Sequence, residues 1–119
     1  MTKSYTQRTL AWLRQHGLVA DIAERFNDWA GGKNDLFGFI DIIALDVEGG
    51  RIIGVQSTGP TGHADHRRKI LAESRAIDWL QAGGRIWLIS WRKLLVNRGG
   101  KARTWQPRVE EIQMRDFAW

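Results

Sequence analysis

The sequence predicts an α/β domain of order αβββαββ, a mixed central sheet with helices packed on it. Two observations carry that expectation. The apolar spacing switches between a helical period and strict alternation along the chain. Glycine-rich breaks at Gly17, Gly31-Gly32, Glu48-Gly49-Gly50, Gly59-Pro60-Thr61-Gly62 and Gly83-Gly84 punctuate the apolar segments. A hydrophobic share of 43% in 119 residues supplies one core, so residues 1–119 are expected to form a single domain.

Tyr5 to His16 carries Leu10, Ala11 and Leu13 among polar residues, a helical pattern that Gly17 stops. From Leu18 to Phe26 the apolar residues Leu18, Ala20, Ile22 and Phe26 share one parity, which predicts a strand. Asn27 to Asn34 reads as a loop. Phe39 to Asp46 and Arg51 to Thr58 are Ile-rich strands joined by a Gly turn, hence a hairpin. A helix then runs from His63 to about Ala82, buried through Ile70, Ala76, Ile77 and Leu80, with Arg67 and Arg68 outward. Arg85 to Trp91 and Thr104 to Ile112 complete the sheet, and Pro107 assigns the last strand to an edge.

Composition removes several function classes. The absence of cysteine excludes disulfides, thiolate metal sites and a Cys nucleophile. The longest apolar run, Leu36 to Leu45, is interrupted by Asp41 and falls short of the ~18 residues of a membrane span. The opening residues carry no signal-type apolar segment, so a cytoplasmic address without membrane contact is expected. A net charge of +5 favours a polyanionic partner. The seven Trp residues are expected mainly in the core, with base stacking as the alternative for one or two.

Asp41 stands in the middle of an apolar strand, where a lone carboxylate costs several kcal/mol unless paired or bound to a cation. On the next strand Gly54, Gln56 and Thr58 share one face. If the hairpin register sets that face beside Asp41, oxygen ligands converge where Gly54 leaves space for a substrate. Oxygen donors suit Mg²⁺ or Mn²⁺ better than zinc. The alternative is a structural Asp paired with an Arg, beside a Gln bonded to main chain.

The segment Phe39-Ile-Asp41-Ile-Ile-Ala-Leu45, a Gly turn, then Ile52-Ile-Gly-Val-Gln56-Ser57-Thr58 resembles the core of the PD-(D/E)XK nucleases. It is most similar to their small Holliday-junction-resolvase-like and phage-type members, over roughly Leu10 to Trp91. The resemblance implies a restriction-endonuclease-like fold, with Asp41 as the metal-binding Asp and Gln56 in place of the second acid. Ser57 would contribute its main-chain carbonyl, and Glu24 and Asp35 would be extra ligands. The family's Lys falls on Thr58, which cannot supply an ammonium, so Lys69, Arg67 or Lys33 would have to replace it.

His63 and His66 stand at i and i+3 in the first turn of the long helix, without a third soft ligand to complete a zinc site. Phosphate contact at the helix N-terminus is their functional reading, and exposed capping the bland one. Between Arg92 and Arg108 lie Arg92, Lys93, Arg98, Lys101, Arg103 and Arg108 with no acidic residue, around Gly99-Gly100. This arm is expected to hold a nucleic-acid backbone, together with His63, Arg67 and Arg68. The expected function is a Mg²⁺- or Mn²⁺-dependent endonuclease acting on branched or duplex DNA, compatible with a homodimer. The alternatives are a binding module that kept the fold and lost the chemistry, or a phage-type inhibitor acting on a protein.

Overall fold

Ser4 opens the first helix by accepting the Gln7 N–H on its hydroxyl at 3.1 Å. That helix, α1 (Tyr5–Gln15), ends at Gly17, whose φ of +82° suits glycine. There Gly17 N–H bonds Arg14 O and Leu18 N–H bonds Leu13 O, a Schellman closure. The structure is a computed structural model that describes residues 4–23, 25–27 and 32–117, with the side chains of all but 25–27, 32 and 33.

Among the described residues seven strands form: β1 (Val19–Ile22), β2 (Arg25–Asn27), β3 (Gly32–Asn34), β4 (Ile42–Asp46), β5 (Arg51–Thr58), β6 (Arg85–Leu95) and β7 (Arg103–Ile112). Five of them form one sheet in the order β1-β4-β5-β6-β7, and β2 and β3 pair separately. Only β5 and β6 run parallel; the other pairs in the sheet are antiparallel. A parallel pair needs a crossover. Helices α2 (His63–Leu71) and α3 (Ser74–Gln81) supply it.

The two faces of the sheet are covered by different helices. Under α1 pack Leu10, Leu13, Ala20, Ile42, Ala44, Ile53, Val55, Ile89 and Trp91. On the other face Ile40, Ile70, Ala76, Ile86, Leu88, Ile112 and Phe117 form the second cluster, which brings in α2 and α3. The chain is therefore a single α/β domain with a five-stranded mixed sheet and three α-helices among the described residues. None of those helices is long and apolar enough to cross a membrane.

Four expectations need correction. The helix from His63 to Ala82 is two helices, because Glu73 takes an extended conformation and caps α3 through the Arg75 N–H. The strand from Leu18 to Phe26 breaks after Ile22, and Ile22 is exposed because the cluster under α1 takes in Ala20 and stops there. The segment at 27–34 contains the β2–β3 pairing in addition to loop. The strand at Phe39 begins only at Ile42, since Leu36 to Ile40 closes a tight turn. Pro107 does lie on an edge strand. Of the Trp residues described, Trp91 is buried, while Trp12, Trp79, Trp87 and Trp105 pack at the margins of the two clusters; Trp29 and Trp119 lie outside the described residues.

Candidate active site

Buried polar side chains are costly unless partnered, and here they gather at one end of the sheet. Asp41, Gln56, Ser57, Thr58, His63, Ser90 and Thr9 are the buried polar residues among those described, near the carboxyl ends of the parallel strands. Open α/β sheets bind ligands in that region.

A turn delivers the acids. Phe37 (φ +54°) and Gly38 (φ +80°) stand in succession in the left-handed region, with Gly38 N–H bonded to Asp35 O at 3.0 Å. The chain doubles back, and Asp35 returns beside Asp41. A Cβ at 38 would also lie 2.5 Å from Glu73 Oε2, so the Glu73–Arg75 pair would have to shift to admit a side chain. Asp41 itself stays in register, its N–H on Val55 O at 2.8 Å, just ahead of the Ile42–Val55 pair. Asp41 and Gln56 thus lie on neighbouring strands with side chains on the same face, as the alternation required.

Asp41 Oδ2 accepts the Ser57 main-chain N–H at 2.8 Å and Gln56 Nε2 at 3.0 Å. Gln56 Nε2 also donates to Asp35 Oδ2 at 3.2 Å, and Lys69 Nζ donates to that same oxygen at 2.8 Å. Burial, then the neighbouring Asp35, pushes Asp41 up to about 8. Burial also works to raise Asp35, but hydrogen bonds from Asp41, Lys69 and Gln56 outweigh it and hold Asp35 below the usual carboxylate range. The two carboxyls therefore share one proton at neutral pH, resident on Asp41. The structural alternative of an Asp paired with an Arg does not describe Asp41, whose partners are an amide and a main-chain N–H.

Gln56 Oε1 is buried with no hydrogen-bond partner. Which amide atom faces the acids follows from the hydrogen-bond network, and an inverted amide would present Oε1 to both carboxyls. That inversion is favourable with the Asp41 proton donated to Oε1, or with a cation between the amide oxygen and the carboxyls. The donor set of two carboxylates and an amide oxygen therefore fits a hard divalent ion such as Mg²⁺ or Mn²⁺. Among the described residues no three His, Cys, Asp or Glu side chains come together as a metal cluster. Outside the acids a cleft of about 440 Å³ opens, lined by Asn34, Asp35, Gly38, Lys69 and Arg75.

The other expected residues divide sharply. Lys69 reaches the acids, whereas Arg67 turns away to Glu110 (2.9 Å) and Asp116 (3.3 Å). Glu24 and the side chain of Lys33 lie outside the described residues. Thr58 is buried with its hydroxyl against Gly62, and Ser57 sends its own hydroxyl to Thr9 at 2.7 Å on the α1 face. Gly54 leaves no space for a substrate, because Ile40 and Trp79 fill the volume its Cβ would take. His63 is not a phosphate contact: it is buried, with Nδ1 on Ser90 Oγ and Nε2 on Glu110 Oε1, both at 2.8 Å. Arg68 is exposed and pairs with Asp65.

In the arm, Arg92, Lys93, Arg98, Lys101, Arg103 and Arg108 are all exposed. No carboxylate of the described residues pairs with any of them. The hairpin extends to the Leu95–Arg103 pair and turns at Asn97–Gly100, with Gly99 at φ +81°.

Sequence reasoning missed Arg75 and Asn34 at the cleft, and read His66 as a phosphate contact without placing it near Lys69. His66 Nδ1 is buried and unbonded, and burial, then Lys69, keeps the imidazole below its usual pKa. The spacing of His66 and Lys69, i and i+3 on one helix, was the available signal. No family model matches the chain, and neither a curated protein nor a solved structure matches it.

Proposed function

We propose that this chain is a divalent-metal-dependent endonuclease of the PD-(D/E)XK type, with a restriction-endonuclease-like fold, acting on DNA. The observation that carries the reading is the junction of Asp41, Asp35, Gln56 and Lys69 at the carboxyl end of β5, with Asp35 and Lys69 lining a cleft and Asp41 and Gln56 buried behind them. A helix before an antiparallel β1-β4-β5 unit, then a helical crossover to a parallel β6, supports the fold assignment.

In this reading Asp41, Asp35, the Gln56 amide oxygen and the Ser57 carbonyl are the groups that would hold Mg²⁺ or Mn²⁺. Such an ion, when bound, would activate a water and offset charge on the phosphate. Lys69 carries the ammonium that Thr58 lacks; it keeps Asp35 ionised and presents positive charge at the cleft rim. Arg75 also lines that rim, its guanidinium paired with Glu73 at 2.8 Å. The exposed cations of the arm hold the DNA backbone at a distance from the acids.

The test is cleavage of branched, duplex and single-stranded DNA with Mg²⁺ or Mn²⁺, using the parent chain, Asp41→Asn and Lys69→Met. Cleavage by the parent that both substitutions remove supports the reading. DNA binding without cleavage of any substrate overturns it in favour of a non-cleaving binding module. One feature favours that second reading: Lys69 already satisfies Asp35, and Thr58 stands at the ammonium position of the motif.

A further inference from the structure

On the sheet face opposite Asp41, α1 and the arm enclose a second cleft of about 460 Å³, within the range of roughly 300–1,000 Å³ common for ligand sites. Its walls are Trp12, Trp91 and Trp105, with Arg8, Thr104 and Pro107. The pairings Trp91–Pro107 and Lys93–Trp105 set these side chains on one face of the hairpin, the face α1 covers. Arg8 Cζ lies 4.6 Å from the Trp105 ring centre and 5.8 Å from that of Trp91, and Lys93 Nζ lies 5.2 Å from Trp105. Tyr5 closes against Trp105 edge-on at 5.8 Å.

Cation–π attraction explains why one cation sits on an indole. It does not explain two cations on one ring with no counter-anion. Neither Arg8 nor Lys93 has a carboxylate partner among the described residues, and no acidic side chain lines the cleft. Arg8 Nε is buried without an acceptor, a donor desolvated and left unused. Flat aromatic walls with converging donors for an anion suit a planar base that carries a phosphate.

We propose that this cleft holds an unpaired nucleotide, its base against the indole wall and its phosphate between Arg8 and Lys93. Bases inside a duplex are stacked on one another and offer only their edges, so the nucleotide must come from a single strand, an end or a branch. The proposal deepens the nuclease reading by naming the substrate feature it selects, and rests on that reading for its choice of nucleic acid over other planar anions. The lack of acidic residues from Arg92 to Arg108 supports the same choice, because the arm continues the cationic surface past the cleft.

Binding of a fluorescent ten-residue oligothymidylate, measured in EDTA, separates this proposal from catalysis. Trp105→Leu and Arg8→Gln are expected to weaken that binding about tenfold, and to weaken blunt-duplex binding less, while Trp105→Phe retains most of it. A 5-bromodeoxyuridine oligonucleotide provides a readout that needs no variant: photocrosslinks should map to Trp105, Trp91 or Trp12. Equal affinity in Trp105→Leu and Trp105→Phe, or crosslinks confined to other peptides, overturns the proposal even if the protein cleaves DNA. Oligothymidylate binding at the cleft with no cleavage of any DNA supports it while removing the nuclease reading. Displacement by a poly-glutamate peptide as effectively as by oligothymidylate overturns it in favour of an acidic protein partner.

Discussion

Helix α2 is anchored to the sheet by two polar networks that look alike in composition and differ in completeness. Near its start, His63 bonds Ser90 and Glu110, Arg67 bonds Glu110 and Asp116, and the helix is tied to β7. Toward its end, Lys69 bonds Asp35, which shares the Gln56 amide with Asp41. In the first network each carboxylate meets a cation or an imidazole, and Glu110 is held below its usual pKa by Arg67 and His63 against the cost of burial. In the second, two acids meet, one is driven up to about 8, and an amide oxygen is left without a partner. A network that serves only stability has no reason to retain such conflicts. Unresolved polarity beside a cleft is what marks the second network as the candidate site, where the mere presence of His, Ser and Glu does not.

The largest expected effect follows from the shared proton. A divalent ion at Asp41 must displace it, so Mn²⁺ affinity should rise about tenfold per pH unit and level off near 8. Isothermal titration across that range checks this, and a pH-independent affinity would place the ion elsewhere. Asp41→Asn should lower Mn²⁺ affinity and any cleavage about a hundredfold or more, since even the loss of a residue that only supports a ligand costs ten- to a hundredfold. The same proton shapes stability. Asp41 keeps it up to about 8 in the fold and releases it near its ordinary 3.8 when unfolded. Between those values the native state binds more protons, so this residue's contribution falls as pH rises. Asparagine has no such proton, so the variant should be more stable than the parent at pH 6 and by a wider margin at pH 8. Melting temperatures at the two values test the sign.

The scaffold network should respond in the opposite way. Glu110→Ala removes the acceptor of both His63 and Arg67 and leaves a buried imidazole nitrogen without a partner. A loss of about 1–3 kcal/mol is expected by urea unfolding, with no change in Mn²⁺ affinity. Were Glu110→Ala to leave stability intact while abolishing metal binding, the assignment of the two networks would be reversed.

Much of this contrast is legible in the sequence, though unevenly. Alternation alone puts Asp41 and Gln56 on one face, because a hairpin with a known turn leaves little freedom of register. Gly17 and the edge position of Pro107 are equally readable, since each follows from a local backbone restriction. Asp35 is visible only as a nearby acid. Its approach depends on a turn with two successive left-handed residues, one of them Phe37, and single-residue propensities do not anticipate that. The division of His63 and Arg67 from Lys69 is not legible, because it depends on the rotation of α2 about its own axis. That rotation is set by the break at Glu73 and by Glu110, a residue 47 positions from His63.

The smallest expected effect lies in the arm, and it sharpens the comparison by adding a surface that belongs to neither network. Lys101 and Arg103 are exposed and pair with no carboxylate among the described residues, so replacing both by Ala should change stability by no more than about 0.5 kcal/mol. Their effect should appear in the salt dependence of DNA binding. Removing a cation that neutralises one phosphate reduces the slope of log affinity against log salt by about 0.9 for duplex DNA. The double variant should therefore flatten the slope by about one to two units, similarly for unrelated sequences. Asp41→Asn, measured in EDTA, should leave it unchanged, because Asp41 is buried and carries its proton at neutral pH. Equal slopes for the parent and the arm variant would reduce Lys101 and Arg103 to a solvated surface, and any DNA binding would then have to rest on Arg8 and Lys93 at the indole cleft or on Lys69 beside the acids.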